Sequence, residues 1–146
     1  MQNAFVKQHY ESLLSRLQQI NAASLPLWGK MNAAQMMHHL NISMKVALGK
    51  IPPKAKSNFF TRLLKGVAYN DKPWGKGAPT PKEFKVTGDF DFEKEKQETI
   101  AALSEVFQNG TSFAFKPHVF FGPLSGEQWG MHFYKHIDHH LKQFGV

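Results

Sequence analysis

At 146 residues the chain is long enough for one hydrophobic core and short for two, so a single domain over 1–146 is expected. Its 42% hydrophobic and 20% charged content is that of a globular protein, which excludes a disordered chain; the absence of cysteine excludes a disulfide framework, a thiolate metal site and a cysteine nucleophile. The formal charge of +7 raises nucleic acid as a partner, because phosphate binding is largely cation pairing. All but two of the cations are lysine, however, and no paired zinc-finger spacing or RNP-like aromatic run accompanies them. A solvated face or attraction for an anionic substrate is the expected meaning of the basic stretch Lys45 to Lys85, and nucleic acid is not the expected partner.

The first residues, MQNAFVKQHYESLLSRLQQ, turn polar every few positions and lack the features of a signal peptide, and no run approaches the roughly 20 apolar residues of a membrane span. A soluble, cytoplasmic protein is expected. Phe5 to Ile20 places Phe5, Val6, His9, Leu13, Leu17 and Ile20 at helical spacing and predicts a first amphipathic helix. Pro26 and Gly29 then punctuate a loop that carries Trp28.

Asn32, followed three residues later by Gln35, predicts a capping box opening a second helix over about Ala33 to Leu48, with Gly49 as its stop. Ile51 to Pro81 predicts a long connection that contains a short helix over Phe59 to Val67. After a short extended run, Phe84 to Val86, Asp91 is the predicted N-cap of a third helix that buries Ile100, Leu103 and Phe107 and ends near Asn109-Gly110. Ser125 with Gln128 repeats the capping-box pattern ahead of a terminal helix. Four helices with recognisable caps and few strand-like runs predict an all-α fold, a four-helix bundle with its long connection between the second and third main helices.

The terminal stretch WGMHFYKHIDHHLKQFGV holds half of the eight histidines. On a wheel with Trp129 at zero, Phe133, Phe144 and Ile137 fall at about 40°, 60° and 80°, the arc that faces the core. His140 at about 20° and His136 at about 340° border that arc, whereas His139 at about 280° and His132 at about 300° lie on the flank, where they reach solvent or act as supporting groups. In the second helix His39 falls inside a broad apolar arc of Ile42, Val46, Met36, Ala47, Leu40, Met44 and Met37, and His38 falls outside it beside Lys45 and Asn41. The inward set is therefore His39, His136 and His140.

Periodicity alone leaves two readings of this set, a divalent-metal site or a packed polar cluster. The energetic argument for metal is that one cation satisfies three imidazole acceptors at once in an apolar centre, and that three ligands leave positions open for water or substrate. His9 and His118 stand alone and read as structural, as do Trp28, Trp74 and Trp129 and the methionine stripe of the second helix.

The segments PLWGKMNAAQMMHHL (Pro26 to Leu40), APTPKEFKVTGDFDFEKEK (Ala78 to Lys96) and FFGPLSGEQWGMHFYKHIDHHLKQFGV (Phe120 to Val146) resemble the DinB/YfiT-like superfamily of small bacterial helical bundles, within it a family of unknown function. One departure is His118-Val119, where similar sequences often carry His-Pro. The resemblance implies a metal held by one histidine of the second helix and a C-terminal H-x-x-x-H pair, here His39, His136 and His140. It further implies relatives that join low-molecular-weight thiols to electrophiles. The expectation is a metal-dependent transferase or hydrolase acting on a small molecule, with zinc or nickel as the first choices and iron or manganese compatible. Its rival is a non-enzymatic module that binds a small ligand or pairs with another copy of the chain as a homodimer.

Overall fold

Helix follows helix wherever the sequence offers a cap and an apolar stripe, in a computed structural model that describes residues 1–53, 56–63, 65–70, 72–77 and 85–146. The elements are α1 (Lys7–Gln19), α2 (Ala33–Ala47), α3 (Phe59–Leu63), α4 (Lys65–Ala68), α5 (Phe92–Asn109) and α6 (Gly126–Gln143). The fold is all-helical: no strand occurs among the described residues, where pairing is confined to an isolated bridge between His118 and Gly122.

The predicted caps are in place. Asn32 with Gln35 and Ser125 with Gln128 each form a reciprocal capping box, and the Asp91 carboxylate accepts from the Lys94 amide. Each such cap satisfies amides that have no partner inside the helix and contributes about 1 kcal/mol. Gly110 ends α5 at a positive φ of 62°, as a helix C-terminus often requires.

One hydrophobic cluster joins the four long helices: Leu13 and Leu17 from α1, Met36, Met37, Leu40 and Met44 from α2, Leu103 and Val106 from α5, and Phe133, Ile137 and Leu141 from α6. Each side chain of this size, fully buried, stabilises the fold by about 1.5–3 kcal/mol before entropy is counted. The methionine stripe of α2 is thus core. α2 packs chiefly on α5, and α1 on α6. The N-terminal segment is tied to α6 by an Ala4 amide that donates to the Gly130 carbonyl at 2.9 Å, an approach possible because any Cβ at Gly130 would overlap Asn3 and Phe5.

One expectation is corrected. Asn41, expected on the outer side of α2, is 1% exposed, whereas Ile42 and Val46 are only half-buried. α5 lies on the Asn41 side and supplies acceptors there: the Asn41 amide donates to Glu95 Oε2 at 3.1 Å and to Glu98 Oε2 at 2.9 Å. A wheel ranks positions by hydrophobicity and so misplaces a polar residue whose partners arrive from another helix. The short helix expected over Phe59 to Val67 is met by helix at Phe59–Leu63 and Lys65–Ala68, with residue 64 outside the described residues, and Phe59, Phe60 and Leu63 are exposed. The extended run expected from Phe84 begins outside the described residues, and residues 85 and 86 have no regular structure.

Candidate metal centre

α2 and α6 pass close enough at one level to bring His39, His136 and His140 together. The ring centroids form a nearly equilateral triangle, 4.9 Å for His39 to His136, 4.9 Å for His39 to His140 and 5.0 Å for His136 to His140. One nitrogen from each ring can be chosen so that all three lie within 4.8 Å of one another. The i, i+4 spacing in α6 stacks two rings on one face, and the capping box at Asn32 sets the start of the helix that presents the third.

His39 Nε2 and His136 Nε2 face each other at 2.9 Å. Two nitrogens held about 2.0–2.1 Å from one tetrahedral ion stand roughly 3.3 Å apart, so a small outward adjustment of the two rings admits an ion. Burial, and after it the neighbouring histidines, pushes His39 down to about 4 and His140 to about 3, and holds His136 well below the ordinary imidazole range. All three are therefore neutral at pH 7, the form that coordinates.

Protein partners also fix which nitrogen of His140 is free. The Gln143 side-chain Nε2 donates to the Trp28 carbonyl at 2.7 Å, and a carbonyl can only accept, so Gln143 Oε1 is the atom turned toward His140 Nδ1, 2.9 Å away. Oε1 accepts, hence Nδ1 carries the hydrogen and Nε2 keeps its lone pair. A ring N–H held by a protein acceptor is the usual support of a metal-bound histidine. Gly29 makes room for this arrangement, with φ of 86° and no Cβ to overlap the Gln143 amide.

Sequence reasoning missed Gln143, although the wheel carried the signal: it falls at about 320°, beside His136 and His140. The wall residue Trp74 had no such signal. Its ring lies 5.6 Å from His132, 5.7 Å from His136 and 6.0 Å from His139, and it comes from a segment without periodicity. Beyond it opens a cleft of about 500 Å³ lined by Trp28, Trp74, Lys76, Lys135, His139 and Lys142, among others.

The family model described as "Protein of unknown function (DUF1569)" matches residues 6–145. The chain belongs to this family. Membership in DUF1569 corrects the resemblance to the DinB/YfiT-like superfamily: the segments that carry it lie, but for Val146, within the range matched by a different family. No curated protein and no solved structure matches the chain.

The remaining histidines of this DUF1569 member divide by burial. His38 stacks on Phe90 at 4.0 Å with its Nδ1 3.0 Å from Glu95 Oε1, which serves the contact between α2 and α5. His139 is half-buried at the cleft, next to Trp28 and Trp74. His132, expected on a flank with access to solvent, is 6% exposed. Its flank is covered by Trp74 and by the loop that carries His118 and Phe121, contacts that helix periodicity does not encode. His118, expected to stand alone, meets His132 Nε2 to Nε2 at 3.2 Å.

Proposed function

We propose that this protein binds one divalent metal ion through His39, His136 and His140 and uses it as an enzyme acting on a small molecule. In this reading the four long helices are a four-helix bundle whose interior presents the site. The observation that carries it is the hydrogen-bond chain from the Trp28 carbonyl through Gln143 to His140, which leaves His140 Nε2 as a bare lone pair beside two other neutral imidazoles. Three neutral nitrogens suit zinc or nickel, with iron or manganese compatible. Such an ion supplies Lewis-acid chemistry, polarising a substrate oxygen or lowering the pKa of water or of a thiol brought by a cosubstrate, since the chain has no cysteine.

The chain's own residues do the rest. α2 and α6 hold the ligands, Gln143 orients one of them, and Trp74 packs beside His136 while lining the cleft. Three protein ligands leave further coordination positions for substrate, the mark of catalytic rather than structural zinc. Metal content of the purified protein, measured by elemental analysis after zinc or nickel loading, tests the proposal. About one ion per chain is expected, and retention of that ion by the His39→Ala and His140→Ala variants rejects the ligand set. Tight metal binding without turnover of any small ester, amide or thiol substrate points instead to the ligand-binding module.

A further inference from the structure

The His118 and His132 pair meets at a distance like that of His39 and His136, but the partners on the far nitrogen of His118 act oppositely to the partner of His140. The Phe120 and Phe121 amides both donate to His118 Nδ1, each at 3.1 Å. That nitrogen is therefore an acceptor, and in a neutral ring the hydrogen sits on Nε2. His118 is kept neutral by burial, which pushes it down to about 4. Its Nε2–H then donates to His132 Nε2 at 3.2 Å, so His132, also neutral, carries its own hydrogen on Nδ1.

His132 Nδ1–H is buried and has no hydrogen-bond partner among the described residues, and the same holds for the Tyr69 hydroxyl and for Trp129 Nε1. Two residues with unpartnered polar groups thus flank a ring that carries a third, Trp129 centred 5.5 Å and Tyr69 6.4 Å from His132. A buried donor left without an acceptor costs about 1–3 kcal/mol. These three lie together at a place only 5.6 Å, ring to ring, from the proposed ligand His136. The walls are Trp74, Phe121 and Trp129, all aromatic.

We propose that His132 Nδ1–H and the Tyr69 hydroxyl are a binding site for an oxygen acceptor of the substrate, a carboxylate or carbonyl borne on an apolar body, seated next to the metal. The inference rests on the metal reading only for what becomes of the bound group; both donors are protein atoms that need no metal. His118 is its positioning residue, because the two backbone amides on its far nitrogen decide which hydrogen His132 presents.

Imidazole ¹⁵N NMR of the metal-free protein tests the first half: His118 should carry hydrogen on Nε2 and His132 on Nδ1. Titration with benzoate and, separately, benzamide tests the second and distinguishes carboxylate from neutral carbonyl. The His132 Nδ1–H resonance should shift on binding, and Tyr69→Phe should weaken binding about tenfold, the loss of one hydrogen bond. His132→Phe should abolish it, with the folded state of both variants read from the amide spectrum. The inverse His132 tautomer, or correct tautomers with no shift from either probe, overturns the proposal, the second result meaning that the donors serve a buried water only. Zinc uptake by the same sample is decided by the triad, so the metal reading and this one fail separately.

Discussion

Two pairs of histidines meet Nε2 to Nε2 in this protein, His39 with His136 at 2.9 Å and His118 with His132 at 3.2 Å. Distance alone makes them alike, and both are neutral because burial opposes protonation. What separates the two regions is the partner on the far nitrogen of His140 in one and of His118 in the other. Beside the first pair, Gln143 accepts from His140 Nδ1 and turns a lone pair inward, whereas backbone amides fill the lone pair of His118 and turn a hydrogen inward. The same side chain becomes a metal ligand or a hydrogen-bond donor according to what binds its far nitrogen.

The largest expected effect is at the three histidines formed by the first pair and His140. His39→Ala and His140→Ala should each abolish stoichiometric metal uptake in equilibrium dialysis, because two imidazoles are a poor cage for an ion that needs a third. Gln143→Leu should keep the three rings but lose the fixed tautomer of His140, weakening metal affinity about 10–100-fold in competition titrations. Affinity within threefold of the parent would show that the outer shell does not set the difference between the two pairs.

The pH response of the metal-free protein is the third effect. In the fold, His39 and His118 titrate near about 4 and His140 near about 3, against 6.5 for the unconstrained side chain. Between these values the unfolded chain binds protons that the folded one refuses, so stability falls as pH drops from about 6.5 toward 4 and is insensitive to these groups above that window. Urea denaturation at a series of pH values measures it, and zinc should flatten the response by holding the triad deprotonated. A stability that rises on acidification contradicts the buried neutral assignment.

The smallest effect sharpens the contrast from the other side. His118→Phe, which removes one member of the second pair, should leave metal affinity within about threefold, since His118 is not a proposed ligand and bonds to His132 instead. A loss as large as that of Gln143→Leu would merge the two regions into one site.

Much of this was legible in the chain. The capping residues Asn32, Asp91 and Ser125 and the apolar stripes of the long helices follow from local physics, in which a few neighbouring residues satisfy amides and bury one face. Periodicity also selected His39, His136 and His140, the three that meet. It failed at Asn41 and His132, polar positions buried by partners from distant elements, and the family assignment drawn from three segments gave way to a match over nearly the whole chain.

The sequence by itself determined where helices begin and which faces turn inward, because those depend on neighbours within about one turn. Only the tertiary structure decided which nitrogen is free on His140 and on His132. That choice belongs to the Trp28 carbonyl acting on His140 through Gln143, and to the Phe120 and Phe121 amides acting on His118 and so on His132. Hydrogen bonds between parts of the chain as far apart as Trp28 and Gln143 form only once the helices have packed.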